Sequence, residues 1–240
     1  MKRQLKKRRG LPATEDVGII ANVLKNLRLE CERKLGREVT AAVAARPKLP
    51  GITVEDLDDA MQYAGLRSLR AYNYLGDVSE TSAAFAGMGY GLCSKPRDLD
   101  ICEDEEAEMP LQYVLAVSLT HNSLIVTHTV LTDANASWEL KTVFEYNLGL
   151  EALKNYRDVS IYWDKVRSTI RNVALISDEP LTTLLLLGED GTNAKFLEVL
   201  RDALGDTQGT TSASLGVLST TPDSLYVAAI GAAEFAKRFQ

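Results

Sequence analysis

The chain has 240 residues, 45% of them hydrophobic and 25% charged, with a net charge of −6. That is enough length for a buried core in one large domain or two lobes, and no apolar run approaches the ~18 residues of a membrane-spanning helix. Three cysteines (Cys31, Cys93 and Cys102) form neither a CxxC nor a metal-ligand spacing, so they are expected as inert thiols in a reducing, intracellular compartment, cytoplasmic or nuclear.

The first eleven residues are basic. Lys2, Arg3, Lys6, Lys7, Arg8 and Arg9 stand against a remainder of net charge −12. This predicts a solvated arm at 1–11, with a nuclear-import signal or a nucleic-acid contact as the functional alternative. Thr14 followed by Glu15 and Asp16 starts a helix, and Val17, Ile20, Leu24, Leu27, Cys31 and Leu35 give it an apolar stripe that ends at Gly36. "EVTAAVAA" (38–45) reads as a short strand. Thr53 with Asp56 opens a second helix ending near Gly65, and "LRSLRAYN" (66–73) is a second strand. Ser79 or Ser82 opens a small-residue helix through 92. The order α-β-α-β-α over 12–92 implies parallel pairing with right-handed crossovers.

Residues 93–110 hold the acidic run "EDEEAE" (103–108), expected as a mobile surface loop. Beyond Pro110 come three consecutive strands, "LQYVLAVSLT", "SLIVTHTVLT" and "WELKTVFEYN", joined by tight turns. His121 and His128 lie on this hairpin, seven residues apart, and are expected as ordinary sheet histidines. A helix over 149–173 follows, then the strand "LLLL" (184–187), a turn at Gly188–Gly191 and a helix to about residue 204. A Gly/Thr/Ser loop (205–214), a short strand "SLGVLS" (214–219) and a helix from Pro222 through Arg238 complete the chain. The order β-β-β-α-β-α-β-α over 111–240 is that of a ribonuclease-H-like unit. Residues 12–92 match its second half without the three leading strands, which leaves two strands too few to cover their helices.

"VLKNLRLECERKLGREVTAAVAARP" (23–47), "DAMQYAGLRSLRAYN" (59–73), "ETSAAFAGMGYGL" (80–92), "LLLLGEDGTNAKFLEVLRDALG" (184–205) and "TPDSLYVAAIGAAEFA" (221–236) occur in the order of the segments that they resemble. Those segments belong to the DnaK-type, seventy-kilodalton heat-shock chaperone family of the actin-like ATPase superfamily. The resemblance implies an α/β fold of two ribonuclease-H-like lobes, the second complete. It implies a nucleotide site around Gly188, Glu189, Asp190, Gly191, Asn193 and Asp223, with Glu80 in the place of the glutamate near the metal and phosphates.

The departures carry as much information. The family's first phosphate loop and its catalytic lysine find no counterpart in this sequence. In its second loop, Leu119 replaces the metal-associated aspartate, and Thr120, His121 and Asn122 replace glycines that let the backbone approach phosphate. Only about 35 residues stand where the family carries an adenine-clamping subdomain. In the adenosine turn Glu189 replaces a glycine and sets negative charge beside an anionic ligand, although Asp190 and Asn193 could still bond a ribose beside free amides at 191–194. Nuclease chemistry is excluded, since the first strand of 111–240 has no carboxylate.

The resemblance therefore implies a degenerate, non-catalytic binding or scaffold protein. A protein partner or a second copy would cover the incomplete first lobe, and nucleic acid would be touched only through the basic tail. The alternative is a residual ATP, ADP or adenosine binder with Mg and weak or no ATPase activity.

Overall fold

The computed structural model describes residues 2–47, 49–69, 78–205 and 223–239. Its centre is a four-stranded mixed sheet of order β5-β4-β3-β6. β3 (Gln112–Leu119), β4 (Leu124–Leu131) and β5 (Ser137–Glu145) form an antiparallel meander, and β6 (Thr183–Leu187) joins β3 in parallel, with Val117 paired to Leu186. β3 is buried from Val114 to Leu119 because both faces of the sheet are covered.

On one face, Leu115, Val117, Leu119, Leu184 and Leu186 pack against α6 (Val159–Ala174) and α7 (Ala194–Gly205) through Tyr162, Val166, Ile170, Phe196 and Leu200. On the other, Val114, Ala116, Leu185 and Leu187 meet α4 (Glu80–Gly87) and α8 (Val227–Ala236) through Ala83–Ala86, Val227 and Phe235. α4 begins at Ser79, whose side chain accepts a hydrogen bond from the Ser82 amide.

A third, smaller cluster joins α2 (Glu15–Leu35) to α3 (Val54–Tyr63) through Val17, Ala21, Ala60 and Met61. Thr53 and Asp56 form the expected capping box at the start of α3. Two short strands, β1 (Ala41–Ala42) and β2 (Arg67–Ser68), pair in parallel, and Arg46 bridges Ser79 in the same sense. The two expected strands thus contract to two residues each. Positions 70–73 of the second, most of the loop 205–214 and the strand 214–219 lie outside the described residues.

Four further expectations are corrected. The basic segment is a helix, α1 (Lys2–Arg8), anchored on α3: Arg3 donates to Asp56 at 2.8 Å and to Asp59 at 2.6 Å, and Lys7 also donates to Asp59. The acidic run is α5 (Leu99–Ala107), because Asp98 caps it, Ser94 bonds Glu105, and Arg238 pairs with Glu106. Cys93 and Cys102 are joined by a disulfide, leaving Cys31 free and exposed. Residues 149–173 hold a 3-10 segment, Leu150–Asn155, before α6 begins, with Asp158 capping it.

The buried stripe of α2 also differs from expectation. Val17 and Ala21 are buried and Ile20 and Leu24 partly so, while Leu27, Cys31 and Leu35 are exposed. α2 rests mainly on α3 along that inner face, so the apolar residues towards Ala60, Met61 and Ala64 lose most solvent.

Candidate functional site

Because β3 and β6 are parallel neighbours, the turns that follow them emerge side by side at the carboxyl edge of the sheet, where open α/β sheets place their ligands. The turn after β6 holds Gly188, Glu189, Asp190 and Gly191; the turn after β3 holds Thr120, His121 and Asn122.

Gly188 has φ +84°, and a Cβ there would press on the Leu119 carbonyl and lie 3.2 Å from Ser118 Oγ. Both the left-handed backbone and the close approach demand glycine. The Gly188 amide donates to the Ser224 carbonyl at 3.2 Å, and the Ser224 hydroxyl returns a bond to the Gly188 carbonyl at 2.9 Å. Asp223 is thereby held beside the turn, where its carboxylate accepts from the Leu225 amide at 3.2 Å.

Two of the four amides expected to be free are spent. Gly191 donates to the Gly188 carbonyl and Asn193 to the Asp190 carbonyl. Asn193 Oδ1 accepts from the Lys195 and Phe196 amides at 3.0 and 3.1 Å, so it caps α7 rather than standing ready for a ribose.

His121 spans the two turns. Its Nδ1–H donates to Asp190 Oδ2 at 2.6 Å, and its backbone amide donates to Glu189 Oε1 at 3.0 Å. The hydrogen bond to Asp190 and that carboxylate's charge raise the imidazole's pKa above its ordinary value. The bond from the His121 amide lowers that of Glu189, outweighing burial. The opposite side of the same turn is clasped by Leu150 and Glu151, whose amides donate to the carbonyls of Thr120 and His121 at 2.9 Å each.

Glu80 sits apart from this latch, at the first turn of α4. It lines a cavity of about 30 Å³ with Ser79, Ser118, Thr127, Thr129 and Leu187. Burial raises the Glu80 carboxyl above the usual range. The structure therefore joins Gly188, Glu189, Asp190, Gly191, Asn193 and Asp223 in one turn-and-cap assembly. Among the described residues, Glu80 approaches it through Ser118 and Leu187, which line its cavity beside Gly188. His121 and Ser224 are the assembly's members that sequence reasoning did not assign. The signal for His121 is readable only once β3 and β6 are parallel neighbours, which sets that histidine opposite the two acids.

The cavity beside Glu80 has the volume of about one water and is too small for a nucleotide. At the turns, His121, Glu189 and Asp190 bring three possible metal-ligand atoms within 4.8 Å of one another, but both acids are already bonded to His121. Leu119, in the metal-associated position of the resemblance, is fully buried against α6 and α7 and offers no ligand oxygen. No protein-family model and no curated protein matches the chain.

Proposed function

We propose that this chain is a ribonuclease-H-like, actin-like-ATPase-type unit whose nucleotide site has closed, and that it acts as a non-catalytic binding or scaffold protein. The observation that carries this reading is the His121 latch: the imidazole and backbone of one ligand-side turn occupy both carboxylates of the other. A phosphate approaching that edge would meet Glu189 and Asp190 rather than a row of free amides. The mixed sheet, with a three-stranded meander and a fourth strand parallel to the first, supports the ribonuclease-H-like part of the reading. Phosphoryl transfer depends on positioned metal and oriented donors; the donors that converge at this edge are His121, Glu189 and Asp190, and both acids already bond His121.

Isothermal titration calorimetry of the full chain against Mg-ATP, Mg-ADP and adenosine tests the proposal. No heat from a folded protein is expected. Micromolar binding of any of the three would overturn the closed-site reading and establish the residual nucleotide binder instead.

A further inference from the structure

The two sulfurs of the Cys93–Cys102 pair have unlike surroundings. Cys93 Sγ accepts from Arg238 Nη2 at 3.6 Å. Cys102 Sγ lies 3.4 Å from the Lys95 carbonyl oxygen, an acceptor that only a protonated sulfur satisfies. Both neighbours are held by bonds of their own. Arg238 pairs with Glu106, whose Oε1 also accepts from Asn135 Nδ2 at 3.2 Å. The Lys95 carbonyl accepts from the Asp98 amide at 2.9 Å. Opening the S–S bond therefore leaves a guanidinium beside Cys93 and a carbonyl beside Cys102. The first favours a thiolate and the second a thiol. Accessibility runs the same way, since Cys93 is 8% exposed and Cys102 1%.

We propose that Cys93 and Cys102 are a redox-active pair, in which a peroxide oxidises Cys93 and Cys102 resolves the product. In the dithiol form the Cys93 thiolate attacks one oxygen of hydrogen peroxide, the O–O bond breaks, and hydroxide leaves. Cys93 is then a sulfenic acid. The Cys102 sulfur attacks the Cys93 sulfur, the S–S bond forms, and the sulfenic hydroxyl leaves as water with the Cys102 proton. A dithiol reductant reverses the change. Its thiolate attacks Cys93, the more exposed sulfur, and Cys102 leaves and takes up a proton. The reductant's second thiol then closes its own disulfide and frees Cys93 as the thiolate. Two electrons pass in each direction.

The charges around the pair set these roles. Arg238 reaches Cys93 from the 3-10 turn Lys237–Phe239, and Glu106 comes from α5 and draws on the same guanidinium. Lys95 and Glu105 attract one another, and Glu105 is also bonded by Ser94. Arg238 thus favours the Cys93 thiolate, and Glu106 opposes it. The chemistry uses neither turn of the His121 latch, so it stands whether or not the chain binds nucleotide.

The test uses the full chain carrying Cys31→Ser, so that the free, exposed thiol does not react. Dithiothreitol is expected to open the disulfide in the folded protein, and hydrogen peroxide to restore the Cys93–Cys102 link in peptide mapping. With Cys102→Ser added, dimedone should trap a sulfenic acid at Cys93. With Cys93→Ser instead, trapping at Cys102 should be slower by about tenfold or more. Arg238→Gln removes the cation, so it should slow oxidation of Cys93 by about tenfold near neutral pH and move the midpoint of its pH profile up. Glu106→Gln breaks the same ion pair but keeps the cation, so Cys93 should oxidise at least as fast as in the parent. That contrast separates the charge of Arg238 from a structural effect of losing the pair, and circular dichroism melting checks that each variant is folded. A disulfide that dithiothreitol opens only when the chain unfolds would overturn the proposal, as would equal trapping at the two cysteines. Equal slowing in Arg238→Gln and Glu106→Gln would overturn the role given to Arg238.

Discussion

Gly87 and Gly231 face one another across the crossing of α4 and α8, and neither has room for a Cβ. A Cβ on Gly231 would lie 2.7 Å from the Gly87 nitrogen and closer still to the Ala83 carbonyl; one on Gly87 would lie 3.1 Å from the Gly231 nitrogen and press on Val227. These glycines supply space, with Ala83, Ala84 and Ala86 supplying the rest, so the two backbones touch. Gly231→Val should cost about 3 kcal/mol or more, because rigid backbone rather than a side chain must move. Urea unfolding of the full chain measures it; a loss below 1 kcal/mol would mean that the helices separate easily.

The latch gives a pH signature. The folded pKa of His121 is raised by its bond to Asp190, so the stabilisation that it contributes is full below the unfolded value, about 6.5. That stabilisation is lost as pH rises through the folded value. In an NMR titration the His121 ring should have its midpoint above that of an ordinary histidine and fall back towards it in Asp190→Asn. His128, whose pKa burial lowers while Nδ1 bonds the Val173 carbonyl at 3.2 Å, should titrate below it. Coincident midpoints would dismiss the latch.

Glu80 has the opposite kind of environment. Burial raises its folded pKa, so ionisation works against the native state, and stability falls as pH rises through that value. Glu80→Gln keeps the shape and removes the charge. Its melting temperature should exceed that of the unaltered chain at pH 8, with the gap narrowing towards pH 4. Equal melting curves at both values would mean that the carboxylate is solvated.

The anchoring of α1 rests on Asp59. Burial alone would raise that carboxyl, but the bonds from Lys7 and Arg3 outweigh it and hold it below the usual range. Its contribution is present above the unfolded value and lost as pH falls through the folded one. In Asp59→Asn, amides of Lys2–Arg8 should exchange at least tenfold faster, while β3 is unchanged. Unaltered exchange in α1 would show that other contacts hold it.

The expectations that survived were local ones. Thr14 and Thr53 cap the helices that they are read to start, Ser79 rather than Ser82 caps α4, Gly36 ends α2 in the left-handed conformation, and the meander strands fall within the quoted stretches except that β5 starts one residue early, at Ser137. Each rests on chemistry within four residues. What was missed depends on distant partners. α5 has too many acids to be read as a helix until Arg238 and Asn135 are brought to Glu106. α2 has two overlapping apolar ridges, and the sequence alone cannot choose between them, because α3 decides. At the candidate site, the strained turn at Gly188 was legible, whereas the occupation of its acids by His121 required the parallel pairing of β3 with β6.

The α4–α8 crossing also governs the order in which this protein can be made. Gly87 and Gly231 are 144 residues apart, so during synthesis the alanine face of α4 emerges long before the helix that covers it. The sheet face beneath the pair stays open for the same interval. The core on this face is completed only when α8 joins α4. Until α8 arrives, the nascent polypeptide presents the small-residue surface of α4 without its cover.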